Sequence, residues 1–431
     1  MKTFLIVNPW IYDFAAYDLW MKPWGLLKIM SVLKSSGHGA VLVDAMDRHH
    51  RLIPGEVRDK PDGTGRFMSQ EIPKPAALKG IPRKYKRYGL SRELFEAALP
   101  GCRVDAILVS SGMTYWYPGV FETIKILKKR YKAPVILGGA YATLCREHAV
   151  RESGADHVVS NGDFRGLEEA MGIECGFSFR SLLEADADIS SYTFNPYAVL
   201  RVSLGCPFSC AYCAQKKLGP GFMLKSLDGA IKEVKAFYDR GIKNFAFYDD
   251  ALLFDGDHIE EYFSAVVEEG IKGNFYTPNG LHARFLKEKT AFLIKKMNFV
   301  NPILSLETAN CEVAETWHDK VDRDEFRTAV NNLRAAGYKK GQYTVYLMLG
   351  APGSSTRDVK ESMEFAHSLG ARISLSEYSP ISGTLMSERL GERPEDPLME
   401  NNSIFPFYSR STRDTGADKL KSEAKILNAS L

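Results

Sequence analysis

A chain of 431 residues, 45% hydrophobic, 11% aromatic and 25% charged, is long enough for two domains of ordinary size, and a single core is not expected. Its 56 Lys and Arg stand against 53 Asp and Glu, so a formal charge of +3 supplies no global field toward nucleic acid or an anionic membrane. The first apolar run, Phe4 to Val7, meets Asn8 and Pro9 at once, too short for a signal-peptide core, and no later run approaches the roughly 20 apolar residues of a membrane span. The expectation is a cytoplasmic protein with no membrane partner. In chain order, strands are expected at residues 4–7, 41–43, 106–110, 134–137 and 157–159, with helical stretches such as 120–131 and 142–152 between them. That alternation predicts a doubly wound, Rossmann-like α/β domain over 1–171. Pro54, Pro61, Pro73, Pro75, Pro82 and Pro100 mark residues 48–100 as an irregular insertion with one helix near 92–98. After a linker at 172–197, strands are expected at 199–204, 244–248, 273–277, 303–307, 343–349 and 373–377. Six strand–helix units over 198–385 predict a partial (β/α)6 barrel, since closure needs eight, with its chemistry at the carboxyl ends of the strands. Residues 386–431, with Pro394, Pro397 and Pro406, read as a wrapping tail that frays at its end.

Seven cysteines, an odd count in a chain of this kind, argue against a disulfide framework. Three cluster in Gly205-Cys206-Pro207-Phe208-Ser209-Cys210-Ala211-Tyr212-Cys213, a C-x3-C-x2-C spacing on the loop leaving the first barrel strand. Structural zinc normally wants a fourth protein ligand at similar spacing, and none follows before His258. Three thiolates suit a [4Fe–4S] cluster with one iron left open. Zinc, or three buried cysteines that bind nothing, are the alternatives. Later strand ends carry Tyr248-Asp249-Asp250, Ser305-Leu306-Glu307 and Gly350-Ala351-Pro352-Gly353. Each has a structural alternative, as a helix cap or a turn. Asn279, His282 and Arg284 follow the third strand, either at the same mouth or organising its loop. Cys102, Cys145, Cys175 and Cys311 form no second triplet.

The triplet, with an aromatic residue before its last Cys and a six-strand barrel after it, resembles the radical S-adenosylmethionine (SAM) enzymes over about residues 199–384. The resemblance implies that Cys206, Cys210 and Cys213 hold a [4Fe–4S] cluster. It implies that Tyr212, Asp249, Asp250, Glu307, Gly350 and Gly353 surround SAM, with the carboxylates toward the methionyl ammonium, although the family's usual Gly-Gly-Glu is replaced. One electron, from a reductant such as flavodoxin or ferredoxin, would cleave the sulfonium to methionine and a 5′-deoxyadenosyl radical.

Upstream, Ser110-Ser111-Gly112-Met113-Thr114 and Gly138-Gly139-Ala140-Tyr141-Ala142-Thr143 follow adjacent strands. With Pro23-Trp24-Gly25-Leu26 and Gly154-Ala155-Asp156 they resemble the cobalamin-binding domain found ahead of many radical SAM proteins. That resemblance implies a cobalamin held by Ser110, Ser111, Thr114, Gly138, Gly139 and Ala140. Ala140-Tyr141 departs from the family's Pro-His, and Asn161-Gly162-Asp163 from its Gly-Glu-Gly-Glu. The D-x-H-x-x-G signature is also absent, because Leu52 stands at the glycine position after Asp47, His49 and His50. Both histidines are expected in a solvated loop, and the cobalamin base-off without histidine ligation. Together the resemblances imply cobalamin-dependent methyl transfer to an unactivated carbon. The rivals are radical rearrangement, cyclisation or oxidation without methyl transfer, and a non-catalytic iron–sulfur electron carrier or redox sensor. Tyr115-Trp116-Tyr117 reads either as core or as a corrin or substrate contact. The basic run Lys79, Arg83, Lys84, Lys86, Arg87 and Arg92, interleaved with Tyr85 and Tyr88, is a solvated loop or a phosphate-binding surface, the only pointer to a nucleic-acid substrate.

Overall fold

The five apolar runs of the first 160 residues pair as parallel strands. The structure, a computed structural model, describes residues 1–318, 321–390, 395–404 and 416–431. The chain forms two compact units, one of residues 1–196, 217–220 and 394–401, the other of 197–216, 221–393 and 402–431.

In the first unit β1 (Thr3–Asn8), β2 (Gly39–Asp44), β3 (Ala106–Val109), β4 (Val135–Leu137) and β5 (His157–Val158) form one sheet in the order β2-β1-β3-β4-β5. Every pairing is parallel. Phe4 to Val7 and all of β3 are buried, as parallel strands covered on both faces must be. The strand order reverses between β1 and β3, the position where doubly wound sheets open a crevice.

The insertion is more ordered than its composition predicts. Lys86–Tyr88 pairs antiparallel with Ile11–Asp13 on one side and with Ser69–Glu71 on the other, and helix Arg92–Ala98 follows, capped by the Ser91 side chain. Strands of three residues are too short to show a period, which is why the pattern missed them. The insertion closes over the ends of β1 and β2. Trp10 donates to the Leu90 carbonyl at 2.7 Å and packs on Phe95, while Leu90 N–H reaches the Ala45 carbonyl at 2.8 Å. His49 and His50 are half-buried in this region and not in a solvated loop. His49 pairs with Asp59, and buried Arg48 holds Asp18, Asp59 and the Gly63 carbonyl.

Of residues 172–197, expected as a linker, 172–196 belong to the first unit. Helix Phe179–Glu184 has a capping box, Lys28 donates to the Ala185 carbonyl, Lys34 pairs with Asp188, and Tyr192 donates to Asp44 at 2.7 Å. Part of the expected tail also belongs to this unit. Tyr117 donates to Asp396, Thr114 to Glu400, and Asn401 to Asp13. Pro394 and Pro406 lie outside the described residues.

The second unit contains β6 (Ala198–Leu200), β7 (Asn244–Phe247), β8 (Asn274–Tyr276), β9 (Leu281–His282), β10 (Ile303–Glu307), β11 (Thr344–Leu349) and β12 (Arg372–Glu377). They form a partial barrel whose wall is two parallel sheets, β8-β7-β6 and β9-β10-β11-β12. Two expectations change. The first strand stops at Leu200, because the Asp249 carboxylate takes the N–H groups of Val202 and Ser203 that a ladder would use, and Ser203–Leu204 turns to pair antiparallel with Met223–Leu224. The third strand runs over 274–276, and beyond the Pro278-Asn279-Gly280 turn an unexpected short strand, β9, joins the other sheet. Gly280 has φ +78° and lies so close to Ser305 Oγ that a Cβ would sit 2.6 Å from it. Helices between the strands bury apolar stripes, Phe326, Val330 and Leu333 among them. One stripe hides an ion pair: Glu233 on helix Leu227–Asp239 is buried against Lys225 at 2.7 Å. Within the expected tail, residues 417–429 form a helix. On helix Ala417–Ala429, Asn428 accepts from Ile373 N–H and donates to its carbonyl, satisfying a residue of the edge strand β12. Among the described residues, no helix is long and apolar enough to cross a membrane.

Candidate functional site

The mouth of the second unit is assembled from the segments that leave its parallel strands. Beyond β6, Gly205 turns with φ +85° and the chain enters the cysteine loop. Cys206 and Cys210 are half-buried and Cys213 is exposed, and none of the three is in a disulfide. The loop is fixed from several sides. Ala211 N–H reaches the Trp317 carbonyl at 3.2 Å, Met386 N–H reaches the Ala211 carbonyl at 2.8 Å, and His318 Nδ1 lies 2.7 Å from the Ser209 carbonyl. The Trp317 indole donates to the Pro352 carbonyl, joining this region to the Gly350–Gly353 loop after β11. Phe208, midway along the loop, stacks among His282, Phe285 and Phe254.

Tyr212 packs on Trp317, and burial, reinforced by Glu307 and Cys210, holds its phenol well above the usual range, so it is neutral. Glu307 ends β10 with φ +66°, beside a register shift between Ser305 and Glu307. A left-handed, non-glycine residue in a strand end is costly backbone, and such strain concentrates at ligand sites. Gly350 and Gly353 both have positive φ, +78° and +81°. A Cβ at Gly353 would meet nothing nearer than Thr316 at 3.8 Å, so the turn conformation, not crowding, calls for glycine there.

Asp249 is 2% exposed. Its Oδ1 accepts from Val202 N–H, Ser203 N–H and the Ser203 hydroxyl at 3.0, 2.6 and 2.7 Å, while Oδ2 is buried without a hydrogen-bond partner. Burial pushes this carboxyl up to about 7, against the pull of Ser203 and Arg201. Asp250 accepts from Arg201, Gly205 N–H and Gln215. Asn279 donates to the carbonyls of Tyr248 and Asp249 and so organises its loop. Arg284 pairs with Glu325. Sequence reasoning missed Arg201, Ser203, Gln215, Trp317 and His318, which act by holding the cysteine loop and carry no motif of their own.

At the first unit's strand ends the expected ligand-binding residues are engaged with the chain itself. Ser110 donates to Asn8 at 3.1 Å, Ser111 to the Gly138 carbonyl at 2.7 Å, and Thr114 to Glu400. Ala140 N–H reaches the Ser111 carbonyl at 2.8 Å. Gly139, φ +100°, is required by its own neighbour, since a Cβ would lie 2.3 Å from the Ser111 carbonyl oxygen. Gly138 has open space, with only the Val159 carbonyl at 3.8 Å. Tyr115 is buried, Trp116 donates to Asp13 and Tyr117 to Asp396, so all three are core and anchoring residues. Within the basic run Lys84 pairs with Glu71, Arg87 with Gln70 and Glu122, and Arg92 with Glu96.

Residues 200–366, from the end of β6 through the helix after β11, match the radical SAM superfamily. Among curated proteins the chain is similar to an uncharacterised methyltransferase of Pyrococcus horikoshii, 22% identical over 45% of this chain and 42% of that one. It is also similar to the ribosomal-protein methylthiotransferase RimO of Syntrophomonas wolfei, 23% identical over 54% of this chain and 55% of that one. The chain thus spans about half the length of these relatives. Its fold is similar to that of TsrM, a radical SAM methyltransferase of Kitasatospora setae solved with tryptophan and a SAM analogue. The TM-score is 0.66 at 11% identity, covering 94% of this chain and 83% of that one. A second structure of that protein, with cobalamin and a [4Fe–4S] cluster, gives 0.63 at 11% identity, covering 89% and 74%.

The donor set of the second unit fits an iron–sulfur cubane. Three cysteines outside any disulfide share one anchored loop, and among the described residues no three His, Cys, Asp or Glu are grouped about a single ion. A cubane does not need them to be, because each thiolate bonds a different iron. The fit of the first unit to a corrin is narrower, resting on the open face at Gly138.

Proposed function

We propose that this chain is a radical SAM methyltransferase whose second unit binds a [4Fe–4S] cluster and SAM and whose first unit binds cobalamin. When bound, the cluster and SAM supply a 5′-deoxyadenosyl radical by one-electron cleavage of the sulfonium, and cobalamin supplies a methyl group. The observation that carries this reading is the anchored triplet Cys206, Cys210 and Cys213, set at strand ends that also present an open carboxylate oxygen on Asp249 and a strained Glu307. In this reading the three thiolates hold the cluster. Asp249, Asp250 and Glu307 supply negative charge for the methionyl ammonium, neutral Tyr212 walls the cluster side, and the Gly350–Gly353 turn lets backbone approach the adenosyl end. Water exclusion falls to the aromatic group around Phe208. A reductant of the flavodoxin or ferredoxin type provides the electron, and an unactivated carbon is the methyl acceptor. The likeness in fold to TsrM supports cobalamin in the first unit, where Gly138 leaves room.

A second reading keeps the radical chemistry and omits cobalamin. It is favoured by the engagement of Ser111, Thr114 and Gly139 within the chain. A nucleic-acid substrate has little support, because several side chains of its basic run are paired internally. Anaerobic reconstitution with iron, sulfide and hydroxocobalamin separates the readings. The first expects about four irons and one cobalt per chain, 5′-deoxyadenosine on reduction with SAM, and methylated product from cell extract by mass spectrometry. Iron and 5′-deoxyadenosine without cobalt would leave the second.

A further inference from the structure

One carboxylate oxygen grips both ends of the cysteine loop. Asp250 Oδ2 accepts from the backbone N–H of Gly205 at 3.1 Å, the side-chain amide of Gln215 at 2.9 Å and Nη1 of Arg201 at 3.1 Å. Gly205 directly precedes Cys206, and Gln215 stands two residues beyond Cys213. Fixing both ends of a loop at a common point removes much of its conformational freedom, and hydrogen bonds to an ionised acceptor are the strong kind. The adjacent Asp249 fixes Val202 and Ser203 just ahead of the loop, so the approach is held as well. Capping of the next helix does not account for Asp250, because helix Gly256–Glu268 is capped by Asp255.

We propose that Asp250 is the positioning residue of the cysteine loop, a clasp joining residues 205 and 215 so that Cys206, Cys210 and Cys213 are presented as a set before any metal arrives. The functional meaning rests on the reading that the triplet holds a cluster. The clasp itself is a property of the metal-free chain and is tested there.

The experiment measures alkylation of each cysteine in the full-length, metal-free protein by peptide mass spectrometry, for wild type, Asp250→Ala, Asp250→Asn and Gln215→Ala. Half-buried Cys145 of the first unit is the internal reference for intact folding. Losing charge-assisted bonds predicts that Asp250→Ala raises alkylation of Cys206 and Cys210 about tenfold or more, with Cys145 unchanged. Asp250→Asn keeps an acceptor oxygen and should return the rates to within about threefold of wild type, with Gln215→Ala intermediate. After reconstitution, iron loss to a ferrous chelator should follow the same order. Equal rates in wild type and Asp250→Ala would overturn the clasp. So would equal acceleration in Asp250→Ala and Asp250→Asn, which is the signature of removing a nearby charge. Should Asp250→Ala fail to fold, the order wild type, Asp250→Asn, Gln215→Ala decides the matter alone, and no acceleration in Gln215→Ala overturns it. A wild type that takes up no cluster, yet shows the alkylation pattern, refutes the cluster reading and leaves the clasp standing.

Discussion

Ser111 and Asp249 both lie just past a parallel strand and both are buried, yet their polar atoms are spent differently. The Ser111 hydroxyl, with the hydroxyls of Ser110 and Thr114, is bonded within the first unit, and Gly139 is pressed against the Ser111 backbone. Asp249 keeps one oxygen without a partner, and Glu307 holds a conformation that its residue type resists. Glycines and hydroxyls after a strand therefore have two meanings. They open a ligand crevice when the neighbouring backbone stands off, and they pack adjacent loops when it does not. Carboxylates are less ambiguous, because a buried acceptor left unpaired is expensive and calls for a ligand, a proton or water.

The comparison can be broken most directly at the cysteines. Cys206→Ala, Cys210→Ala or Cys213→Ala should each abolish the cluster, whereas Cys311→Ala should leave iron content and the visible spectrum as in wild type. A triple variant of Cys206, Cys210 and Cys213 that still carried iron and an unchanged spectrum would end the assignment.

At the first unit the contrast lies between two neighbouring glycines. Gly139→Leu forces a side chain into the Ser111 backbone at positive φ and should lower stability by roughly 3–5 kcal/mol or prevent folding. Gly138→Ala should cost no more than about 1 kcal/mol, because the nearest atom is 3.8 Å away. Denaturant unfolding of both variants checks this. Similar losses would mean that the loops are not packed as described. A bulky residue at Gly138 is then the proper probe of cobalamin uptake, since its effect on binding is separable from an effect on folding.

A smaller effect should appear with pH. Burial raises the Asp249 carboxyl from 3.8 to about 7. The folded chain therefore keeps a proton that the unfolded chain has lost, so this group's contribution is full below about pH 4 and declines as pH rises to about 7. The decline is on the order of a few kcal/mol. Asp249→Asn removes that titration, and its unfolding midpoint relative to wild type should rise between pH 5 and pH 8. A difference that stays constant with pH would place the Asp249 proton elsewhere.

Periodicity located the sheet strands of the first unit and the apolar helix faces of the second because each is a long-range burial pattern written in single residues. The triplet was legible because three soft ligands at short spacing have few other uses. What escaped depended on partners distant in sequence. The first barrel strand is cut short by a carboxylate 47 residues away, and a Glu joins an otherwise apolar helix face because Lys225 meets it there. The short antiparallel strands of the insertion carry too few residues for any period to show. The hydroxyls of the first unit were visible, but their use was not, because side-chain bonding is decided by tertiary neighbours.

The return of residues 394–401 to the first unit has a consequence for how the protein is made. Asn401 and Glu400, 1% and 2% exposed, meet Asp13 and Thr114, residues synthesised almost 400 and 300 positions earlier. On the ribosome, the first unit must wait with those groups exposed until residues 400 and 401 have emerged, so its last step of assembly comes after the second unit's strands have been synthesised. A fragment ending at residue 196 lacks the piece that completes it, and only a circular rearrangement or a supplied peptide covering 394–401 would restore the missing contacts.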